Sequence, residues 1–306
     1  MEEISTCPLC RSKESSLLFK GTDLLYRTTN NKFSIRQCRT CGLARLDPRP
    51  TEKERARYYP DQYGTFHTSV GRPIAKNLLF SLYKKLRVVS AREVTHESHS
   101  SDESRQVFLD FGCGNGALLE KLRTQHPRWD LYGIDIDDRA CEVTSKKGFT
   151  VFCGDISQAP YKDNMFDAIN ASQVLEHTRE PLHVLQTLAR MLKIGGTLTV
   201  DVPNLGSLSA KLFRSRWYNL DIPRHLFHFT PHTLSLLVQK SGLAVVSIKT
   251  RTDSKTLLAS LNFFMKGGLA TKINPVSLNV LRPAAWFLNK INRADYIYLQ
   301  ATKPQL

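Results

Sequence analysis

No stretch of this 306-residue chain holds the roughly 18 consecutive apolar residues of a membrane span. Its first residues, Met1-Glu-Glu-Ile-Ser-Thr, lack a basic segment leading into an apolar one. No secretory signal is expected there, and a cytoplasmic location is. Acids are scarce at one end. Residues 193–306 carry 15 Lys and Arg against only 4 Asp and Glu, and residues 1–106 carry 19 against 12. The middle, 107–192, reverses the balance with 9 against 12, and the formal charge is +15. That field favours an anionic partner: a phosphorylated substrate, a nucleic acid or an anionic membrane surface. The bland alternative is a solvated basic face. There is no internal repeat and no low-complexity tract beyond one polar linker. Cysteine is not plentiful either. There are seven, an odd number, and four of them form two C-x-x-C pairs. This is metal-site usage and excludes a secreted disulfide framework; Cys113, Cys141 and Cys153 are expected as small buried or loop residues.

What is present is a core and a glycine-rich turn. A hydrophobic share of 41% and this length suit one large α/β domain plus a small module. Val107 to Phe111 reads as a short buried strand, and Ala117 to Leu122 runs at helical spacing. Between them lie Gly112, Gly114 and Gly116. Glycines there let backbone N–H groups approach a ligand that any Cβ would hold off, and the helix N-terminus adds partial positive charge. The expected ligand is nucleotide-like, over the carboxyl end of the first strand of an open α/β sheet. Further strands end in Asp135-Ile136, in Asp155-Ile156, in Asn170 ahead of Gln173, and in Asp201. An acid at Asp135 can accept hydrogen bonds from both ribose hydroxyls. A NAD-binding unit is the alternative for the loop alone; its G-x-G-x-G spacing and the full strand series argue against it.

The series resembles the class I S-adenosylmethionine-dependent methyltransferases. Asp110-Phe-Gly-Cys-Gly-Asn-Gly116 is similar to their first motif, Asp135 to the ribose-binding acid and Asp155 to the residue near the adenine amino group. Leu192-Lys-Ile-Gly-Gly-Thr-Leu198 is similar to the turn into the fifth strand. Within that superfamily the chain resembles the branch of ubiquinone-biosynthesis O-methyltransferases and of sugar or small-molecule methyltransferases with an N-terminal zinc module. The resemblance implies an α/β, Rossmann-like seven-stranded methyltransferase sheet over 106–306, its last strand antiparallel. It implies S-adenosylmethionine as cofactor, held by Asp110, Gly112, Cys113, Gly114, Gly116, Asp135, Ile136, Asp155, Ile156 and Gln173.

Cys7-Pro-Leu-Cys10 and Cys38-Arg-Thr-Cys41 have the spacing of two zinc knuckles. Four thiolates close a tetrahedral site with no open position, so the zinc is expected to staple a zinc-ribbon-like module over 1–50. Residues 51–105 read as a helical segment and linker. Thr51 to Glu54 resembles a capping box, Tyr58 to Tyr63 an aromatic cover or an inter-domain contact, 74–89 an amphipathic helix and 93–104 a polar linker. Insertions are expected at 203–230 and 253–293. Glu176-His177 follows the fourth strand, where reacting groups gather in open α/β sheets. The first insertion carries Asp221-Ile-Pro-Arg-His225-Leu-Phe-His228. His225 is the first candidate for a base and His177 the second; both also suit structural roles. His225 and His228 make a metal-type pair with no third ligand in view. The second insertion is apolar and basic together, fitting a membrane surface, a lipid-like substrate or a helical cap.

The chain lacks the Asn/Asp-Pro-Pro-aromatic motif of adenine amino-group methyltransferases and the Pro-Cys nucleophile of cytosine ring-carbon enzymes. The expected function is methylation, on oxygen or carbon, of an anionic small-molecule, sugar or lipid-linked acceptor. Ribosomal or transfer RNA methylation, with the zinc module and basic third binding RNA, stays open, as do a non-catalytic S-adenosylmethionine-binding role and peripheral membrane contact.

Overall fold

The computed structural model describes residues 1–60, 105–266 and 275–305. The expected helix over 74–89 and linker over 93–104 lie outside the described residues, with most of the 51–105 segment.

Three short strands open the chain: β1 (Ser15–Gly21), β2 (Phe33–Cys38) and β3 (Ala44–Leu46). The short helix α1 (Glu52–Arg55) follows. Its start is held as the Thr51/Glu54 spacing predicts, the Glu54 carboxylate accepting the Thr51 backbone N–H at 3.0 Å. The apolar run at 107 forms β4 (Val107–Phe111), and α2 (Ala117–Gln125) buries Leu118, Leu119 and Leu122. Next come β5 (Asp130–Asp135), α3 (Asp138–Lys146), β6 (Thr150–Cys153) and β7 (Phe166–Ser172). The helix α4 (Pro181–Met191) starts on its proline, as that residue's fixed φ and missing N–H favour. Its apolar face stops at Met191. Leu192, whose spacing places it on the helix, instead opens β8 (Leu192–Pro203). Beyond lie α5 (Leu208–Phe213), β9 (Phe227–His228), α6 (Pro231–Lys240), β10 (Ala244–Arg251), α7 (Ser254–Lys266), α8 (Pro275–Lys290) and β11 (Tyr296–Thr302).

The large sheet has seven strands in the order β10-β11-β8-β7-β4-β5-β6. Strands β4 to β8 pair in parallel, and β11 is antiparallel to both its neighbours. This is the Rossmann-like methyltransferase fold. The chain runs outward from β4 to β6 and returns to β7 on the other side of β4. The switch point therefore lies between β4 and β7, where such sheets open a crevice at their carboxyl ends.

The second sheet is antiparallel, in the order β1-β2-β3-β9. Its fourth strand comes from the insertion after β8, with Ala44 opposite His228 and Arg45 opposite Phe227. The N-terminal residues are thus hydrogen-bonded into the segment that carries His225. Lys240 donates from its Nζ to the Leu9 carbonyl, and Arg49 to that of Arg179.

A buried ion cluster completes the join. Arg224 is fully buried between Asp23 and Asp221. Its guanidinium donates to Asp23 Oδ1 at 2.6 Å and Oδ2 at 3.0 Å, to Asp221 Oδ1 at 2.8 Å and to the Tyr58 carbonyl at 2.9 Å. The Tyr26 ring lies 4.7 Å from the guanidinium carbon. Burial alone would push the Asp23 carboxyl up; Arg224 and the Thr28 hydroxyl outweigh it and hold Asp23 well below the usual range. Removing one partner of such a cluster strands the others' charge, whereas removing a pair does not. Arg224→Ala is expected to cost about 3–5 kcal/mol of stability in urea unfolding. Asp23→Ala added to it should cost less than the sum of the two single changes. Because the folded pKa of Asp23 lies below the unfolded one, the cluster's stabilisation is present above pH about 4 and is lost as pH falls through the folded value.

Candidate active site at the carboxyl ends of the central strands

Asp110 sits on β4 opposite Asn170 of β7, at the switch point. Asn170 donates from Nδ2 to Asp110 Oδ1 at 2.8 Å. The loop after Asp110 turns through positive φ at Gly112, Gly114 and Gly116. A Cβ on Gly112 would come within 3.0 Å of Val174, and one on Gly116 within 2.8 Å of Thr144. The loop packs against its neighbours more closely than any other residue would allow. Asp135 ends β5 beside it. One Asp135 oxygen accepts the Gly114 backbone N–H at 2.8 Å and the other the Asp137 N–H at 3.0 Å. This ties the acid to the loop and fixes where it points. Ile136, the next residue, is exposed, and Ile156 is buried.

Two acids meet here, Asp110 buried and Asp135 half-buried, with no side-chain cation on either among the described residues. Burial pushes the Asp110 carboxyl up to about 7, with Asp135 adding to the rise and the Asn170 hydrogen bond opposing it. Asp135 is likewise raised by burial. Buried like charges are costly until a cation or a proton joins them. Asn170 Oδ1 is a buried acceptor without a hydrogen-bond partner among the described residues. A ligand with cationic and N–H groups fits this donor set, and S-adenosylmethionine has both.

Asp155 caps the single turn after β6, its Oδ1 accepting the Ser157 N–H at 2.8 Å and the Ser157 hydroxyl at 2.6 Å. Gln173 stands just past β7 with positive φ, donating its backbone and side-chain N–H groups to the Asp201 carbonyl at 2.7 and 3.1 Å. Cys113 is buried beneath the loop, against Gly133. Cys141 and Cys153 are more than the small buried or loop residues that the sequence leads one to expect. They form a disulfide between α3 and the end of β6, with Cα atoms 5.7 Å apart. The β5–β6 register, which sets Asp135 opposite Cys153, brings the strand end to the helix.

His177 and His225 are 48 positions apart in the chain, yet their rings lie 4.6 Å apart, edge to face. His177 belongs to a helical turn over Leu175–His177, directly after β7. Its Nδ1 lies 3.1 Å from the Arg224 carbonyl and 3.2 Å from the Tyr59 hydroxyl. His225 Nδ1 lies 3.0 Å from the Asn219 carbonyl. A carbonyl only accepts, so both rings carry a proton on Nδ1. His225 Nε2 is 3.9 Å from the Glu176 carboxylate and 3.7 Å from that of Asp221. Burial, with the neighbouring cationic and imidazole groups, holds His225 well below its ordinary range. It is therefore neutral at neutral pH, and those two contacts are polar rather than ionic. His177 is half-buried and His225 only 6% exposed. Glu176, His177 and His225 place three metal-capable atoms within 4.8 Å of one another. His228 is not in that group: it stands in β9, with its ring 6.3 Å from His225 and its pKa driven down to about 3 by burial.

Sequence reasoning missed Asp23 and the anchoring role of Arg224, because a salt bridge across 201 positions leaves no local pattern. The Glu-His dipeptide after a strand was the one signal for Glu176. Tyr59 belongs to the aromatic stretch expected to cover the cofactor or to pack between domains. It lies against His177, with its own hydroxyl pushed up to about 12 by burial.

At the other end, Cys7, Cys10, Cys38 and Cys41 converge. Cys7 faces Cys41 and Cys10 faces Cys38, each pair with sulfurs 3.5 Å apart. Four sulfurs around a zinc at about 2.3 Å stand about 3.8 Å apart, so the donor set fits a structural zinc with little movement. Backbone N–H groups of Thr40 and Cys41 point at the Cys38 sulfur.

A methyltransferase-domain family model matches residues 82–248, more than half of the chain. A ubiquinone biosynthesis O-methyltransferase of Methylococcus capsulatus is 29% identical over 167 residues, 50% of this chain and 69% of that protein. A malonyl-[acyl-carrier protein] O-methyltransferase of Herminiimonas arsenicoxydans is 32% identical over 160 residues, 50% and 60% of the two chains. The biotin biosynthesis bifunctional protein BioHC of Teredinibacter turnerae is 27% identical over 161 residues, 48% of this chain, which thus spans only 28% of that protein's length. Among solved structures, a Haloferax volcanii complex of the Trm112 methyltransferase activator with a methyltransferase matches at TM-score 0.50 and 16% identity. The match covers 76% of this chain and 97% of the other; at that identity it speaks to the fold. Sheet order, glycine loop and family match agree: the chain belongs to the methyltransferase-domain family.

Proposed function

We propose that this protein is an S-adenosylmethionine-dependent methyltransferase acting on an anionic small-molecule, sugar or lipid-linked acceptor at oxygen or carbon. The observation that carries the reading is the glycine loop at the switch point, with buried Asp110 leading into it and half-buried Asp135 bound to its Gly114 N–H. Asp135 and Ile136 are assigned to the ribose and adenine, Asp155 with Ile156 to the adenine edge, and Gly112 to Gly116 with Cys113 and Gln173 to the methionine end. When bound, S-adenosylmethionine supplies a methyl group already activated on a sulfonium. The protein's remaining work is to orient the acceptor, exclude water and take a proton. The relatives named as O-methyltransferases support transfer to oxygen.

The proton falls to the histidine pair. His177, the more exposed, is assigned to the acceptor hydroxyl through Nε2, its Nδ1 proton being held by the Arg224 carbonyl. His225, enclosed behind it, is a positioning residue: its ring supports His177, and Arg224 next to it supplies the carbonyl that fixes the His177 tautomer. General-base catalysis of this kind contributes about 10²–10⁴-fold. His177→Gln should lower kcat in that range and leave cofactor affinity unchanged. His225→Gln should lower kcat less. Full turnover in both variants would remove the base assignment.

Zinc is assigned to Cys7, Cys10, Cys38 and Cys41 as a structural ion. Because β3 pairs with β9, its loss should reach the histidine pair. Metal analysis is expected to return one tightly held zinc per chain. Cys10→Ser should lose it, melt earlier and lose turnover together. A metal-free protein of unchanged melting temperature would contradict the assignment.

A further inference from the structure

Most of the large apolar side chains exposed among the described residues come from one contiguous part of the fold. On α5 stands Leu212, at the end of α7 stand Phe264 and Met265, and on α8 stand Val280, Trp286 and Phe287. Met265 and Leu212 are each 66% exposed, Val280 70% and Trp286 63%. The elements touch one another: the rings of Phe213 and Phe264 are 5.3 Å apart, and α8 packs on α7 through Leu281, Ala285 and Leu288. With Leu281, Ala285 and Leu288 turned inward, α8 has a second apolar stripe. Val280, Ala284, Phe287 and Ile291 recur at i, i+4, i+7 and i+11 on an exposed face. A helix that caps a sheet needs one apolar face, and this one has two.

The charge of the same region has one sign. Residues 204–220, 254–265 and 278–294 contain seven Lys and Arg and no Asp or Glu. At its edge lies an open cavity of about 280 Å³ between the end of β1 and the turn at 214–216. Lys20, Lys32 and Arg216 line it with the hydroxyls of Thr22 and Ser215, and no acid does. Arg216 donates to the Phe264 carbonyl at 2.7 Å, which joins the cavity rim to the apolar face. Leu24, on the cavity wall, packs against Tyr218, Ala259 and Phe263 just beneath.

We propose that α5, α7 and α8 dock this protein on an anionic phospholipid surface, with a lipid phosphate seated among Lys20, Lys32 and Arg216. The combination is what identifies the occupant. Exposed Trp, Phe and Met side chains bury into the headgroup–acyl boundary while surrounding cations meet lipid phosphates. A second copy of the chain would set seven cations against seven, and a nucleic acid backbone would leave the aliphatic side chains without a partner. If methyl transfer is the activity, the docked face brings a lipid-linked acceptor to the protein. The docking itself does not depend on that reading.

The test is flotation of the full chain, zinc-replete, with vesicles of phosphatidylcholine alone and of phosphatidylcholine mixed with phosphatidylglycerol. The protein should float with the mixed vesicles, weakly with the neutral ones, and less as salt rises. The double variant Trp286→Glu/Phe287→Glu, both positions being solvent-exposed, should keep its melting temperature and lose binding by about tenfold or more. Lys20→Gln/Lys32→Gln should keep its melting temperature and lose the preference for phosphatidylglycerol. S-adenosylmethionine affinity measured on the same variants should not move, so failure of docking and failure of the methyltransferase reading are told apart. Absence of flotation with either vesicle would overturn the proposal, as would equal binding by the Trp286/Phe287 variant. So would a dimer in sedimentation velocity that this variant dissolves, because a second copy would then own the face.

Discussion

Arg224 is held, fully buried, by two carboxylates, one 201 positions away in the chain and one three positions away. Asp23 reaches it from the N-terminal sheet and Asp221 from its own loop, and neither charge can be left alone without a large desolvation cost. The cluster therefore fixes the backbone over 221–226, and with it three things the site needs. It places His225 against His177, it aims the Arg224 carbonyl at His177 Nδ1, and it delivers Phe227 and His228 to β3 as the fourth strand of the small sheet. The cysteine cluster lies at the β2–β3 turn of that sheet. Cysteine cluster, ion cluster and histidine pair are thus joined through one small sheet, although they are far apart in sequence.

The cofactor crevice has a different logic. Parallel strands end together at the switch point, and the acids at their ends are crowded there by topology. Asp110 is driven up to about 7 by burial, with Asp135 adding to the rise. A folded protein that keeps such a pair gains from a cationic ligand what it loses in stability without one. The histidines stand at the same edge of the sheet, one strand over. The glycine loop after β4 and His177 after β7 thus share one edge of the sheet through a single feature of strand order.

Much of the fold was legible because its elements are locally consistent. Val107–Phe111 is a short apolar run closed by glycines, as a strand buried on both faces must be. Thr230-Pro231 and the Thr51/Glu54 pair announce helix starts through their own hydrogen bonds. The four cysteines announce their cluster by spacing. What stayed hidden is tertiary. Phe227-His228 has no strand pattern, and only β3 makes it one. Leu192 continues a helical stripe until the sheet claims it. The Cys141–Cys153 bond depends on the β5–β6 register. Of the site, the glycine loop, the strand-end acids and both histidines could be named from residue types. Their meeting, and the burial that keeps His225 neutral, required the long-range contact between Asp23 and Arg224.

The most direct measurement is calorimetric titration of S-adenosylmethionine into zinc-replete protein at pH 6 and pH 8, beside Asp135→Ala. A cationic donor favours the ionised Asp110, so binding should be saturable at both values and tighter at pH 8, after that carboxyl has lost its proton near pH 7. The variant should bind at least about tenfold more weakly, the loss of the ribose-holding hydrogen bonds being worth more than about 1.4 kcal/mol. Equal binding by Asp135→Ala, or no saturable binding by protein that melts cooperatively, would contradict the assignment of this crevice to the methyl donor.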